Sequence, residues 1–224
     1  MSPEDWPGEP IEAIRLEIET SALVMVDMQK GYASRDNVRG EWMRVNHPHA
    51  HEYFFDRLDL ALANLAALVD RYRERGLPVF HVTFGSERRD RRDMMLAAHR
   101  TPPAWARSLD DLEPFRVGGS EHQIVGELTP RPGEFVFNKT GHSAFTSTPI
   151  DLVLRSLGVR QLVVGGWSTD ACVGLTARDG ADRGFDVFLV EDACAAFTPQ
   201  SHAAFMDNFA RLYGGVIPTG RVLT

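Results

Sequence analysis

"LVVGGWSTDACVGLTARDGADRGFDVFLVED" (162–192) opens on an apolar run, breaks at two glycines and ends in a second apolar run. The runs predict strands over 160–166 and 185–192. Between them, 172–184 carries a helical pattern that Gly184 closes, weakened inside by Gly174 and Gly180. Strand, helix and strand in this order make a right-handed crossover between parallel strands. Parallel strands are covered on both faces, which is why they read as unbroken apolar runs. Moving outward, "ALVMVD" (22–27), "PVFHVTF" (78–84), "EFVFNK" (134–139) and "GVIPT" (215–219) supply four more strands. Helices are expected over 54–76, where Leu58, Leu62, Leu65 and Val69 share a face, and over 199–215. Another spans 148–158, with Thr148 as N-cap, Pro149 at the first helical position, Asp151 reaching back and Gly158 as the stop. The expected fold is α/β: a doubly wound, mostly parallel six-stranded sheet with helices on both faces, a Rossmann-like three-layer arrangement.

The length of 224 residues suits one domain spanning 1–224, with 1–20 as an N-terminal extension. Net charge is −7, which disfavours a nucleic-acid partner. "SERRDRRD" (86–93) is locally basic, but its acids dilute it, and it reads as a solvated loop or helix start. No stretch has the length of a membrane span. The start, "MSPEDWPGEP", lacks the basic-then-apolar order of a signal peptide. Two cysteines without that signal suggest free thiols in a reducing cytoplasm.

In such sheets ligands sit beyond the carboxyl ends of the strands. Three reactive residues fall there: Asp27 after the first strand, Lys139 at the end of the third, and Cys172 in the turn after the fourth. Each has a plain alternative: a helix cap, a surface lysine, a small buried hydrophobe. Together they are an acid, an ammonium and a thiol. Cys172 falls in the first helical turn, with Ser168 or Thr169 as a cap, where free N–H groups and the dipole favour a thiolate. An ammonium would lower the thiol pKa further, and a carboxylate would accept its proton. Backbone N–H groups over 168–172 would bind an oxyanion.

"VMVDMQKGY" (24–32), "NKTGHSAFTSTPID" (138–151) and "LVVGGWSTDACVGLTARDGADRGFDVFLVEDACAAF" (162–197) resemble the isochorismatase-like cysteine hydrolases. That group includes nicotinamidases, N-carbamoylsarcosine amidohydrolase, and ureidoacrylate and biuret hydrolases. The likeness runs from about residue 20 to the C-terminus and is weakest over 33–55 and 85–115. It implies Asp27 as general base, Lys139 as the bridge between acid and thiol, and Cys172 as nucleophile. It also implies a cis peptide at Trp167–Ser168 and an oxyanion site at the amides of Ser168 and Cys172. Tyr32 matches an aromatic pocket position, and Trp167 stands where a smaller aliphatic residue is common. Nicotinamidases hold a metal on an Asp-x-His and a further His. "FHVTFGSERRDRRDMM" (80–95) has no such set, so neither metal nor other cofactor is expected. Isochorismatases proper lack the cysteine. Cys172 therefore points to cleavage of a C–N bond in a small amide, carbamoyl or ureido compound through a thioester. The alternatives are ether hydrolysis of the isochorismatase type and a non-catalytic binding role. The resemblance further implies a homodimer or homotetramer, with 33–55 as a lid or interface insert.

Other residues stay open. His47, His49 and His51 in "NHPHAH" (46–51) would share one face of an extended segment and hold a metal, or belong to an insert touching substrate. His142 would contact substrate or be solvated. Arg116 would meet an anionic substrate or form a plain salt bridge. Cys194, among small apolar neighbours, is assigned to packing.

Overall fold

The computed structural model describes residues 14–101 and 103–224, so residues 1–13 of the expected N-terminal extension lie outside the described residues. Six strands form one sheet: β1 Ser21–Val26, β2 Val79–Phe84, β3 Phe135–Lys139, β4 Gln161–Trp167, β5 Asp186–Ala195 and β6 Gly215–Ile217. Their order is β3-β2-β1-β4-β5-β6, and every pair is parallel. The chain winds outward from β1 to β3, crosses back, and winds the other way from β4 to β6. The reversal falls between β1 and β4, where a doubly wound sheet opens a crevice at its carboxyl edge.

Nine helical segments connect the strands among the described residues. They are α1 Lys30–Ala33, α2 Val38–Asn46, α3 Pro48–Glu74, α4 Leu96–Arg100, α5 Ala144–Ser147, α6 Ile150–Ser156, α7 Gly174–Asp182, α8 Pro199–Leu212 and α9 Gly220–Leu223. Alternation along β1 sorts them into layers. Ala22, Val24 and Val26 face a core built with Ile150 and Leu154 of α6, Ala177 of α7 and Phe209 of α8. Leu23 and Met25 face the opposite core, made mainly by Phe54, Leu58, Leu65 and Leu68 of α3, with Val222 of α9. Burying a Leu or Phe side chain in either layer contributes about 1.5–3 kcal/mol.

Three of the differences from the expected boundaries have a clear physical reason. Helix α3 starts at Pro48 rather than 54, because Pro48 fits the first helical turn and Phe54 and Phe55 continue the apolar face of Leu58. The histidine run is thus helical: His49 and His51 lie on different sides of α3, and the shared face that a metal would need does not form. Before α6, Thr148 Oγ1 still accepts the Ile150 amide (3.2 Å), but Pro149 takes the cap position and Asp151 pairs forward with Arg155 (2.8 Å). Strand β5 runs on to Ala195, since after a register shift Gly166 and Trp167 pair with Cys194 and Ala195.

Gly166 holds the switch point together. Its φ is +125°, and a Cβ there would meet the Val26 carbonyl oxygen at 2.1 Å. Only glycine lets β4 pass this close to the residue before Asp27.

Candidate active site

Asp27 follows β1, Lys139 ends β3, and Cys172 follows β4. The structure brings all three to one point at the carboxyl edge of the sheet. Lys139 Nζ donates to Asp27 Oδ2 at 2.8 Å and to Cys172 Sγ at 3.2 Å. All three are buried, Asp27 and Lys139 almost completely. Asp27 has a left-handed backbone (φ +55°), and its amide donates to the Val82 carbonyl (2.7 Å). A carboxylate kept in this uncommon conformation is held by the surrounding strands rather than by its own preference. Its other oxygen, Oδ1, is buried without a hydrogen-bond partner among the described residues.

Burial raises the Asp27 pKa, and the Lys139 ammonium offsets this only in part. Burial alone would lower Lys139, but the charges of Asp27 and Cys172 outweigh it and hold the ammonium charged. The thiol contradicts the expected sharpening. Burial first, then the Asp27 charge, push Cys172 well above an ordinary thiol, and Lys139 does not compensate. Asp27 and Lys139 neutralise one another, so little net positive field reaches the sulfur. The resting site therefore holds a carboxylate, an ammonium and a neutral thiol.

The turn ahead of Cys172 is not the regular first turn of a helix. Thr169–Val173 form a π-turn that leads into α7, and the Trp167–Ser168 peptide is cis. Neither expected side chain caps it. The Ser168 hydroxyl donates to Asp170 Oδ1 (2.6 Å), while the Ser168 carbonyl accepts the amides of Ala171 and Val173 (both 3.1 Å). The Cys172 amide lies between those two. Thr169 Oγ1 meets His202 Nδ1 at 2.9 Å. His202 Nε2 meets Glu191 Oε1 at 3.0 Å, and Glu191 pairs with Arg57 of α3 at 2.6 Å. A chain of polar contacts from α3 through β5 and α8 thus fixes the loop that carries the cysteine.

His142 Nδ1 lies 3.3 Å from Cys172 Sγ. Burial, then the Lys139 charge, lower its pKa, so the ring is neutral near pH 7. The Phe84 ring stacks on His142 and covers the Lys139 ammonium at 4.4 Å. Tyr32 and Trp167 meet with centroids 5.8 Å apart. Arg39 of α2 is buried against the rings of Tyr32, Phe54, Trp167 and Phe197, each within 5.1–5.6 Å. Burial draws its pKa down to about 10. Residues 33–55 thereby border the site: Arg39, Trp42, Met43, His47 and Ala50 line a cavity of about 430 Å³ with Trp105 and Phe197.

The profile of the Isochorismatase domain matches residues 21–220. The chain belongs to the isochorismatase family. It is 31% identical over 218 residues to the ureidoacrylate amidohydrolase RutB of Klebsiella pneumoniae, covering 91% of this chain and 83% of that protein. It is 30% identical to the RutB of an Enterobacter species, over 94% of this chain and 90% of that one. Among solved structures, an isochorismatase family protein from Desulfovibrio vulgaris superposes with a TM-score of 0.70 at 26% identity, over 90% of this chain and 95% of that one. N-carbamoylsarcosine amidase from Thermoplasma acidophilum shares the fold, with a TM-score of 0.65 at 24% identity over 89% and 96% of the two chains.

Tyr32 packs on Trp167, the residue before Ser168, and Asp27, Lys139, Cys172 and His142 come together by direct contacts in this isochorismatase-family site. The histidine run does not. His47 packs on Trp42 and His51 on Phe55, and among the described residues no three His, Cys, Asp or Glu side chains are arranged to hold a metal ion. Arg116 pairs with Glu113 and donates to the Glu87 carbonyl, the plain salt bridge of the two readings. Cys194 is core. Sequence reasoning misses Arg39, the Thr169–His202–Glu191–Arg57 chain and Phe84, because the partners that give them their roles lie far away along the sequence.

Proposed function

We propose that Cys172 is the nucleophile of an amidohydrolase that cleaves a C–N bond of a small amide, carbamoyl or ureido compound. The observation that carries this is Lys139 Nζ bonding the carboxylate and the sulfur at once, at 2.8 and 3.2 Å, out of water. Asp27 takes the thiol proton as Sγ attacks the carbonyl carbon. Its raised pKa makes it a stronger base than an exposed carboxylate, and Lys139 balances the charge throughout. The oxyanion rests on the amides of Ser168 and Cys172. The C–N bond breaks, and the Asp27 proton passes to the departing nitrogen. Water then gives a proton to Asp27 and adds to the thioester carbon. The C–S bond breaks, the sulfur recovers the proton, and the acid leaves. Every proton is returned, and no step draws on a metal or cofactor. Losing one oxyanion donor typically lowers the rate 10²–10³-fold, about 3–4 kcal/mol.

Tyr32, Trp167 and His142 form the near wall of the substrate pocket, and residues 33–55 act as a cover rather than a separate unit. Arg39 and Trp42 at the cavity support that role. We further propose a single-domain chain acting as a cytoplasmic homodimer or homotetramer. The two free cysteines support a reducing compartment, and sedimentation analysis of the purified chain tests the assembly.

The test of function is ammonia release from a panel of small amides, ureas and carbamoyl compounds, by the native chain and by Cys172→Ala. Turnover that disappears in the variant supports the reading. Full activity in the variant contradicts it.

A further inference from the structure

The segment 86–93 carries four arginines, and the structure treats one of them differently. Arg88 pairs with Asp90 at 2.7 Å, and Arg89 with Asp110 at 2.5 Å; Arg92 is exposed. These fit the solvated loop expected from the sequence. Arg91 does not. It is only 9% exposed, and its guanidinium has no hydrogen bond, ion pair or ring contact among the described residues. Its backbone is left-handed, φ +58°, which an arginine rarely adopts. The loop enforces that turn. Asp93, the nearest acid, is engaged by the Ser86 hydroxyl (2.5 Å) and the Glu87 amide (2.7 Å). The Met95 amide ties the loop to Thr140, next to Lys139 (2.9 Å). A mostly enclosed guanidinium without a protein partner is available to an anion supplied from outside.

Arg91 lines a cavity of about 100 Å³ with Tyr32, Phe84, Trp105, Phe115 and Arg116. Phe84 is the ring that covers Lys139, so the cavity lies just outside the triad. Tyr32 joins the two regions: the charges of Asp27 and Cys172 on one side, and of Arg39 and Arg91 on the other, all reach its hydroxyl. Arg39 is enclosed by four rings, and Arg116, which lines the same cavity as Arg91, is paired with Glu113, so Arg91 is the cation at this cavity with no partner among the described residues. The cavity admits a small anionic group such as a carboxylate. The flat aromatic walls suit a planar group, and a guanidinium matches a carboxylate with two parallel hydrogen bonds.

We propose that Arg91 is the anion-binding residue of the substrate pocket. The substrate is a small ureido, carbamoyl or amide compound bearing a carboxylate, which docks on Arg91 while the scissile carbonyl meets Cys172. This inference rests on the proposed amidohydrolase function and goes beyond it by fixing substrate class and orientation.

The test uses matched pairs, each a ureido or carbamoyl carboxylic acid and its neutral methyl ester, beginning with 3-ureidoacrylate. The native chain should prefer the acid by about 10²-fold in kcat/KM. Arg91→Gln should remove that preference, mainly through KM, while ester turnover stays within a few-fold. Arg91→Lys should recover part of it. The melting temperature of Arg91→Gln should stay close to the native value, since Arg91 has no protein partner to lose. Equal loss on acid and ester would assign Arg91 a structural role and overturn the proposal. So would a preference that survives Arg91→Gln, or a native chain that favours the esters. Cys172→Ala run alongside separates the two readings: turnover persisting there defeats the nucleophile assignment, whatever Arg91 does.

Discussion

Cys172 and Cys194, the two cysteines of the chain, border the same hydrophobic core and have different polar surroundings. Cys194 lies in β5, fully enclosed, with its sulfur 3.9 Å from the Val164 carbonyl oxygen. Burial pushes its thiol up to about 12. Burial raises Cys172 as well, yet Cys172 is 8% exposed and has Lys139, His142 and Asp27 around it. A high thiol pKa therefore does not separate a structural cysteine from a reactive one. The distinction lies in whether a base and a charge-balancing ammonium stand ready to take the proton when it leaves. At Cys172 they do; at Cys194 nothing does.

The largest effect that would break this comparison is on turnover. Cys172→Ala should lower kcat by about 10⁴-fold or more without unfolding the chain. Cys194→Ala should leave kcat/KM within a few-fold and lower stability by about 1–2 kcal/mol through the small cavity it opens, read by urea unfolding. Lys139→Met comes next. It leaves Asp27 buried and unpaired, so turnover should fall by about 10³-fold, with a measurable loss of stability as well.

The pH dependence sharpens the comparison. Asp27 must be ionised to accept a proton, and its pKa is raised. The acid limb of kcat/KM should therefore lie above the ordinary carboxylate range, with activity rising as pH increases through it. An acid limb at or below the usual carboxylate value would remove Asp27 from the role. A thiol-directed alkylating reagent should modify Cys172 before Cys194, slowly near neutral pH because both are protonated. The smallest effect concerns the support of the cysteine loop. Thr169→Val removes the contact to His202 and should cost about 1 kcal/mol of stability and roughly tenfold in kcat, with KM little changed.

The strands were legible because parallel sheets demand continuous apolar runs, and Asp27, Lys139 and Cys172 were legible because each ends or follows such a run. The start of α3 was not: "HPHAHEY" carries no apolar periodicity until Phe54 and Phe55 meet the sheet. The ionisation of Cys172 was misread for a related reason. Local cues, a helix start and a nearby lysine, favour a thiolate, but desolvation and the mutual cancellation of Asp27 and Lys139 exist only once β1, β3 and β4 have assembled. Arg39 and Arg91 were invisible in the same way. Both sit where the resemblance to the family is weakest, and what marks them is the company each has, or lacks, in the folded chain.

Intact-protein mass spectrometry of the native chain, quenched in acid during turnover, tests the central claim most directly. The account expects a covalent acyl or carbamoyl adduct that peptide mapping assigns to Cys172 and that is absent from Cys172→Ala. Turnover without any adduct on Cys172, or an adduct on Cys194 instead, would contradict it.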